Sequence, residues 1–588
     1  MKGSKDRSDR MKKLLTYLRP YRKESVLSPL FKLLEALFDL LVPLVVKEII
    51  DVGIANSDRP YIFGMCGVLV AFAAVGLLFS LTAQYFAARA AIGFSTVLRR
   101  DLFSRIQRFT YEDTDRIGTS TLITRMTSDV NQLQAGVNLT LRLLLRSPII
   151  VLGALIMAFT VNARSAWIFV VIIPLLAIVV FAIMLKSIPL YKKVQKNLDS
   201  VTDITRENLT GVRVIRAFCK ENEEIERFRE ANEAHYRAQN FVGKISALMN
   251  PLTLVLVNLG VILILLYSGK HVNSGTMSQG DVVALTNYMA QILVELIKFA
   301  TTLFTVNKAL ASADRIRAVL DTPVSMTDGE NDPPAPEKAP DVPAVAFCNV
   351  TLTYAGNAAP SLTDISFSVP RGSTIGIIGS TGSGKSSLAN LIPRFYDVTE
   401  GAVLVNGRDV REHRTKDLRE RIAIVEQKAV LFRGTIRSNL LWGNEGATDK
   451  ELWQALEMAQ AKDFVMEKEG GLDAPVSQNG KNFSGGQRQR LTIARALVRQ
   501  AEILILDDSS SALDYATDAA LRQALRKIEN TTTFLISQRT SSIRHADMIL
   551  VLEDGVAVGL GTHKELLEQC EVYREIHQSQ FGKGGDPS

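Results

Sequence analysis

The sequence predicts a multidomain membrane protein, with an all-α domain of six transmembrane helices followed by a soluble α/β domain. Residues 1–305 of the 588-residue chain alternate long apolar stretches with long charged ones, whereas the remainder has the composition of a soluble protein. At 376–378 a short apolar strand runs into G-S-T-G-S-G-K-S, the glycine-rich loop of nucleotide-binding α/β domains. A chain of this length also exceeds what one hydrophobic core normally holds. These features favour a membrane domain joined to a P-loop NTPase domain.

Six apolar stretches are long enough to cross a bilayer, which takes about 20 helical residues each. The connections at 50–60, 162–164 and 270–279 are short, whereas those at 87–137 and 189–246 are long, charged and helix-favouring. Basic residues lie in both long connections and before the first span, which places them, and both termini, in the cytoplasm. The lipid bilayer is therefore the first partner that the sequence predicts. The predicted spans are 25–49, 61–86, 138–161, 165–188, 247–269 and 280–305.

Composition supports this division and excludes other classes. The net charge of +7 arises largely from basic residues beside the spans, so we predict no nucleic-acid partner. The cysteines lack metal or redox spacing and are interpreted as free thiols in a reducing compartment. The predicted parts are a cytoplasmic amphipathic leader at 1–24, the membrane domain at 25–321, a Pro-rich acidic linker at 322–341, the nucleotide-binding domain at 342–581 and a tail at 582–588. The four cysteines are Cys66, Cys219, Cys348 and Cys570.

The loop at 379–386 has the residues that triphosphate binding requires. Its glycines allow consecutive backbone N–H groups to face the phosphates, and the following helix adds its positive N-terminal dipole. Lys385 can reach the terminal phosphates, while the hydroxyl of Ser386 suits Mg²⁺. Farther along, an apolar strand ends in Asp507 and Asp508, where the metal needs a carboxylate partner. The pattern predicts a nucleoside triphosphate and Mg²⁺ as ligands.

Between these two elements lies Phe483-Ser484-Gly485-Gly486-Gln487, followed by a helix-like stretch. Here the chain resembles the ATP-binding cassette (ABC) family, whose signature reads LSGGQ. The resemblance implies that two cassettes face each other head to tail, so that each signature closes ATP held by the other chain. It implies further roles for these residues: Tyr354 on adenine; Gly379, Ser380, Thr381, Gly382, Ser383, Gly384, Lys385, Ser386, Ser387 and Gln427 on ATP; Ser386, Gln427 and Asp507 on Mg²⁺; and Ser511, Ala512, Leu513 and Asp514 in the loop crossing the dimer interface.

The membrane half shows the same resemblance. Segments 113–118 and 124–130 look like the first coupling loop of bacterial exporters, and 207–218 looks like the second. The resemblance thus covers nearly the whole chain. It implies the type I (type IV) exporter fold, in which long cytoplasmic helices carry the movement of the cassettes to the spans, in the plasma membrane.

Two positions depart from the family pattern. Asp508 stands where the family has a catalytic glutamate, and Gln538 stands where it has a histidine. An aspartate is one methylene shorter, and glutamine carries neither a proton nor a charge. We therefore predict a site that binds ATP and hydrolyses it slowly, in a chain that forms a heterodimer with a second half-transporter. A homodimer that tolerates both substitutions remains the alternative.

Ionisable residues also lie inside the predicted spans. Glu35 and Asp39 are four residues apart and share a helix face, while Glu295 and Lys298 are spaced to pair. Charges at membrane depth usually face a cavity or a partner. One hypothesis is that Glu35 and Asp39 line a cavity for cationic or amphipathic cargo. The other is that they pair with Lys32 or with a residue of the partner chain.

The predicted function is a subunit of an ATP-driven exporter, an ATPase that moves drug-like or amphipathic solutes out of the cell. A lipid flippase of the same fold and a nucleotide-gated channel or regulatory subunit are the alternatives.

Overall fold

The structure, a computed structural model, describes residues 16–329, 342–509, 513–528 and 530–581. It divides into two compact units. One unit contains the residues up to Gln107 and Ser120–Thr322; the other contains Arg108–Thr119 and the residues from Pro323 onward. The first 15 residues of the predicted leader, most of the predicted linker, and the tail lie outside the described residues.

The first unit is helical throughout. The chain between Thr119 and Val161 is one helical stretch in which two π-type turns, Arg125–Asp129 and Thr140–Leu144, separate three α-helices. The helices up to residue 321 are α1 Arg22–Glu48, α2 Arg59–Ile106, α3 Tyr111–Ile117, α4 Thr119–Thr124, α5 Val130–Leu139, α6 Arg146–Val161, α7 Ala163–Ala217, α8 Glu221–Ala247, α9 Met249–Asn273 and α10 Gln279–Asp321.

All six predicted spans fall on these helices. Within the described part of the chain, five helical stretches are long and apolar enough to cross a membrane: Arg59–Ile106, Thr119–Val161, Ala163–Ala217, Glu221–Asn273 and Gln279–Asp321. Helix α1 has 27 residues, which is also a spanning length, but Lys32, Glu35 and Asp39 in its middle make it more polar. Its Ala36 and Leu40 belong to the buried core that the other helices share. A helical membrane domain is thereby confirmed.

Several of these helices are much longer than a bilayer requires. Helix α7 has 55 residues, which at 1.5 Å per residue is roughly 80 Å, against a hydrocarbon core of about 30 Å. It begins at Asn162, whose side-chain oxygen accepts the N–H of Ser165 at 3.0 Å. It ends at the predicted second coupling loop, where a short turn at 218–220 leads into α8. Helix α7 is therefore more than twice as long as the hydrocarbon core is thick.

The second unit contains two larger sheets. A parallel core is ordered β12-β11-β3-β10-β9-β6, with only β12 antiparallel to its neighbour. An antiparallel sheet is ordered β2-β1-β4-β5, and β7 pairs with β8. The strands are β1 Val345–Leu352, β2 Leu362–Val369, β3 Thr374–Gly379, β4 Glu400–Val405, β5 Arg408–Asp409, β6 Ile422–Val425, β7 Gly434–Thr435, β8 Pro475–Val476, β9 Ile503–Asp507, β10 Thr532–Ile536, β11 Met548–Glu553 and β12 Val556–Gly561.

The parallel strands are buried on both faces, as their near-continuous apolar sequences require. All five residues of β9 are buried, and so are all of β3 after Thr374. Because β3 and β9 both run parallel to β10, their carboxyl ends lie at the same edge of the sheet, where ligands of such folds bind. The α/β domain is confirmed. Its helices are α11 Lys385–Leu391, α12 Thr415–Glu420, α13 Ile436–Leu440, α14 Asp449–Met458, α15 Lys462–Met466, α16 Gly485–Val498, α17 Tyr515–Leu525, α18 Thr540–Ile543, α19 His563–Gln569 and α20 Glu571–Phe581.

Candidate nucleotide-binding site

The glycine-rich loop joins β3 to the first turn of α11, in the strand–loop–helix arrangement predicted for it. Gly382 and Gly384 have φ values of +89° and +95°, which a residue with a side chain adopts only under strain. Lys385 folds back over the loop, and its Nζ donates to the carbonyl oxygens of Gly379 at 3.0 Å and Ser380 at 2.6 Å. Burial lowers the pKa of Lys385, an effect that Asp507 and Asp508 oppose. The ammonium group is thus held at the centre of the loop.

Asp507, the last residue of β9, lies against this loop. Its carboxyl is buried and hydrogen-bonded by the Ser386 side chain. Burial raises the pKa of Asp507, while the bond from Ser386 and the charge of Lys385 act in the opposite direction. Two of the three residues predicted to hold Mg²⁺, Ser386 and Asp507, are therefore adjacent in the fold.

A cavity of about 480 Å³ opens beside these residues. The side chains of Gln427, Asp508 and Gln538 line it together with the loop, and Gln427 Nε2 donates to Asp508 Oδ2 at 3.3 Å. Asp508 has a φ of +44°, so the chain turns sharply after β9. Burial raises the pKa of Asp508, opposed by the Gln427 bond and by Lys385. The cavity is also lined by residues that sequence analysis did not identify: Pro360, Ser361, Asp554 and Gly555.

Tyr354 lies next to the end of the loop. Its hydroxyl and Ser387 Oγ are 2.9 Å apart, and its ring meets that of Tyr396 edge to face at 4.9 Å between centroids. Burial raises the pKa of Tyr354. The phenol is therefore neutral and fixed at the border of the cavity, where a stacking partner for a base is useful.

The signature motif lies at the start of α16. Ser484 caps this helix by accepting the N–H of Gln487 at 3.2 Å, and Gln487 returns a bond to the Ser484 N–H. Phe483, the departure from LSGGQ, is 5% exposed and packs edge to face on Phe464. Replacing leucine by phenylalanine thus changes the inner packing, whereas Ser484 and Gly485 remain at the surface. Among the described residues that line the cavity, no signature residue occurs.

Two residues of the predicted interface loop are described. Leu513 is buried, and Asp514 caps α17 by accepting the N–H of Thr517 at 2.9 Å. Ser511 and Ala512 lie outside the described residues.

The segment Arg108–Thr119, which contains residues 113–118 of the predicted first coupling loop, packs within the second unit, whereas residues 124–130 belong to the first unit. Tyr111 stacks on Phe395 with 4.5 Å between ring centroids. Tyr396 donates its hydroxyl proton to Asp115 Oδ2 at 2.7 Å. Burial and this carboxylate raise the pKa of Tyr396. Because Tyr396 also touches Tyr354, two contacts join the coupling segment to the border of the cavity.

In the first unit, the two acidic residues in the middle of α1, Glu35 and Asp39, have cationic partners. Lys32 Nζ donates to Glu35 Oε2 at 2.5 Å, and Arg146 donates to Asp39 Oδ2 at 2.7 Å. Arg146 donates equally closely to Glu295 of α10. Lys298 lies 3.1 Å from Glu295, as its spacing predicts. Sequence analysis missed Arg146, although a charged residue inside a predicted span is the signal that identified Glu35.

The donor set suits a nucleotide bound with Mg²⁺. One buried carboxylate, Asp507, a hydroxyl, Ser386, and an amide, Gln427, supply oxygen ligands, and hard cations of this kind prefer oxygen. Among the described residues no three His, Cys, Asp or Glu side chains form a metal cluster. The ion would neutralise charge that develops on the phosphates. Lys385 and the loop N–H groups would hold those phosphates, and Asp508 and Gln538 line the same cavity.

Comparisons with known proteins agree with this geometry. The ABC transporter transmembrane region family matches residues 25–296, and the ABC transporter family matches residues 362–511. An uncharacterized ABC transporter ATP-binding protein of Mycobacterium tuberculosis is 38% identical over 96% of this chain and 97% of its own. Another of Bacillus subtilis is 34% identical over 98% and 100%. The ATP-dependent lipid A-core flippase of Salmonella typhimurium is 29% identical over 97% and 98%.

The fold matches that of a solved structure. A bacterial Atm1-family ABC exporter with ATP bound superposes with a TM-score of 0.78, covering 96% of this chain and 99% of that one, at 24% identity. Membrane and ATP-binding regions thus lie in one polypeptide, in the order and with the motifs that both families require. The chain belongs to the ABC transporter family and is a half-transporter with the exporter fold.

Proposed function

We propose that this chain is the catalytically weak subunit of a heterodimeric exporter, which binds ATP in its own site and supplies a competent signature to a partner. Exporters of this family act as dimers in a membrane and use ATP to drive transport. The observation that carries the proposal is the pair Asp508 and Gln538, which occupy one cavity with Lys385. Both departures therefore fall on the same catalytic step.

The environment of Asp508 supports slow hydrolysis. A general base must reach the attacking water, whereas the side chain of Asp508 is one methylene shorter than that of a glutamate and its Oδ2 is engaged by Gln427 Nε2 at 3.3 Å. Gln538 can accept or donate a hydrogen bond but cannot carry a proton. Loss of a positioned base typically costs ~10²–10⁴ in rate. The signature supports the other half of the proposal, because Ser484 and Gly485 remain exposed at a capped helix start.

Restoring the family residues tests this proposal. We expect Asp508→Glu together with Gln538→His to raise ATP turnover about 10²-fold in a complex whose partner site has been inactivated. Asp508→Asn with Gln538→His is the matched control and should stay at the parent rate. A parent chain that already hydrolyses ATP rapidly by itself, and loses that activity on Asp508→Ala, would support the homodimer instead.

For the cargo, we propose drug-like or amphipathic solutes with a cationic group, recognised near Asp39. The Asp39 side chain is 42% exposed, whereas that of Glu35 is 12% exposed and bonded to Lys32. Asp39 is thus the more accessible of the two, and Glu35 is better suited to holding helix α1. Transport of cationic dyes by Asp39→Asn, compared with Glu35→Gln at equal expression, tests this division: Asp39→Asn should lose transport, and equal transport by both variants and the parent would remove the proposal.

A lipid flippase of the same fold is the second candidate. The lipid A-core flippase of Salmonella typhimurium covers this chain along 97% of its length. Stimulation of ATP turnover by lipids rather than by cationic dyes, measured in vesicles of defined composition, would favour it.

A further inference from the structure

We propose that Gln580, in the last helix α20, is a positioning residue that holds the Gln538 loop against the nucleotide cavity. The inference rests on the proposed function, because it concerns how this chain's own site senses the terminal phosphate of ATP. Gln538 lines the cavity, but its position depends on the short loop 537–539 between β10 and α18.

The side chain of Gln580 bonds to this loop at both ends. Its Nε2 donates to the carbonyl oxygen of Gln538 at 2.7 Å. Its Oε1 accepts the N–H of Thr540 at 2.9 Å and the Thr540 hydroxyl at 3.0 Å. One amide group thus bridges the residue that faces the cavity and the first residue of the next helix.

The bridge supplies partners that the loop itself lacks. The first N–H groups of a helix have no acceptor within that helix, and Thr540 begins α18. Thr540 is 0% exposed, so in the folded protein its N–H is paired with Gln580 and not with water. His577, one helical turn before Gln580, also has its Nδ1 3.3 Å from the Thr540 hydroxyl. The same face of α20 therefore approaches the loop twice.

Other hydrogen bonds hold residues on either side of Gln538 in the chain. Ser537 N–H donates to Ile377 in β3 at 3.1 Å, and Arg522 of α17 bonds the carbonyl oxygen of Ser541. Within the described part of the chain, the hydrogen bond made by the backbone of Gln538 is the one that its carbonyl oxygen accepts from Gln580. Gln580 is therefore the side chain best placed to set where Gln538 lies.

The first consequence is mechanical and can be measured directly. In the purified full-length complex, we expect Gln580→Ala to speed hydrogen exchange of the Thr540 amide about two- to tenfold, the worth of one hydrogen bond. Ser579→Ala is the matched control, since the Ser579 hydroxyl bonds only within α20, to Ile576 at 2.8 Å. Unchanged Thr540 exchange in Gln580→Ala would overturn the bridge.

The second consequence concerns nucleotide choice. The probe is photolabelling of this chain by 8-azido-ATP, competed by ATP or by ADP. If Gln580 positions a sensor of the terminal phosphate, Gln580→Ala should weaken competition by ATP about two- to tenfold and leave ADP unchanged. The double variant Gln580→Ala with Gln538→Ala should weaken competition by ATP no more than Gln538→Ala does alone.

One more variant separates the two bonds of the bridge. Gln580→Glu keeps an acceptor for Thr540 but cannot donate to the Gln538 carbonyl. We expect it to protect the Thr540 amide yet still lose preference for ATP. Equal loss of ATP and ADP competition, or losses that add to those of Gln538→Ala, would show a general structural role and refute the inference. Absence of 8-azido-ATP labelling in the parent chain would instead refute the proposed function.

Discussion

Removing the charge of Arg146 should destabilise the membrane domain more than a change at its surface. The Arg146 side chain is 9% exposed and bonds Asp39 and Glu295 at 2.7 Å each. The change Arg146→Met keeps an unbranched side chain but removes the guanidinium, so both acids lose this partner. The Arg146 guanidinium, at the start of α6, pairs with an acid of α1 and with an acid of α10.

The expected size follows from what remains around the two acids. Glu295 is 6% exposed and keeps bonds from the Ser147 hydroxyl at 2.8 Å and from Lys298 at 3.1 Å. Asp39 is 42% exposed and can be solvated. Breaking a buried ion pair by removing one partner costs about 3–5 kcal/mol. Because both acids retain partial compensation, we expect roughly the lower limit, about 3 kcal/mol.

Thermal unfolding of the purified complex in lipid nanodiscs is the assay. At ~2–4 °C per kcal/mol for a domain of this class, Arg146→Met should lower the transition by about 6–12 °C. Arg142→Met is the matched control, because within the described part of the chain the Arg142 side chain makes one long hydrogen bond, to Asn138 Oδ1 at 3.4 Å. Adding Glu295→Gln to Arg146→Met should recover part of the loss, since it removes a buried charge that has lost one of its two cationic partners.

Two results would refute this reasoning. The first is a transition for Arg146→Met equal to that of Arg142→Met. The second is a double variant less stable than Arg146→Met, which would mean that Glu295 gains nothing from losing its charge.

Three further predictions concern other contacts. Tyr396→Phe removes the bond to Asp115, and we expect about fivefold less cargo moved per ATP with turnover retained, measured in vesicles. Asp507→Asn should raise the thermal stability of the nucleotide-free protein and abolish Mg²⁺-dependent ATP binding. Because burial raises the Asp507 pKa, the folded state holds this proton to a higher pH than the unfolded chain, so the free energy of unfolding falls as pH rises above the ordinary carboxyl range. Calorimetry between pH 4 and 7 should show a smaller loss of stability for Asp507→Asn than for the parent. Asp51 accepts the Ser278 hydroxyl at 2.5 Å and the Gly280 N–H at 2.8 Å, so Asp51→Asn should cost the membrane domain about 1 kcal/mol, measured by thermal unfolding.

Much of this protein could be predicted from local sequence. Apolar stretches of about 20 residues require helices in a membrane, since no other local structure satisfies the backbone there. The loop around Lys385 and the strand before Asp507 have strict spacing, because glycine N–H groups must converge on phosphate and a carboxylate must follow a buried strand. The Ser484-Gly485-Gly486-Gln487 motif likewise predicted that a helix begins just after Phe483.

The rest depends on residues far apart in the chain. Gln427, Asp508 and Gln538 share a cavity only because parallel pairing brings the ends of β6, β9 and β10 to one edge. The bridge from Gln580 to Gln538 spans 42 residues, and the pairing of Arg146 with Asp39 spans 107. Periodicity and motif spacing are properties of one segment of sequence, so they identified the nucleotide-binding domain and the transmembrane spans. Which distant side chains share a proton, a charge or a cavity wall was decided by tertiary packing, because those distances do not exist until the chain folds.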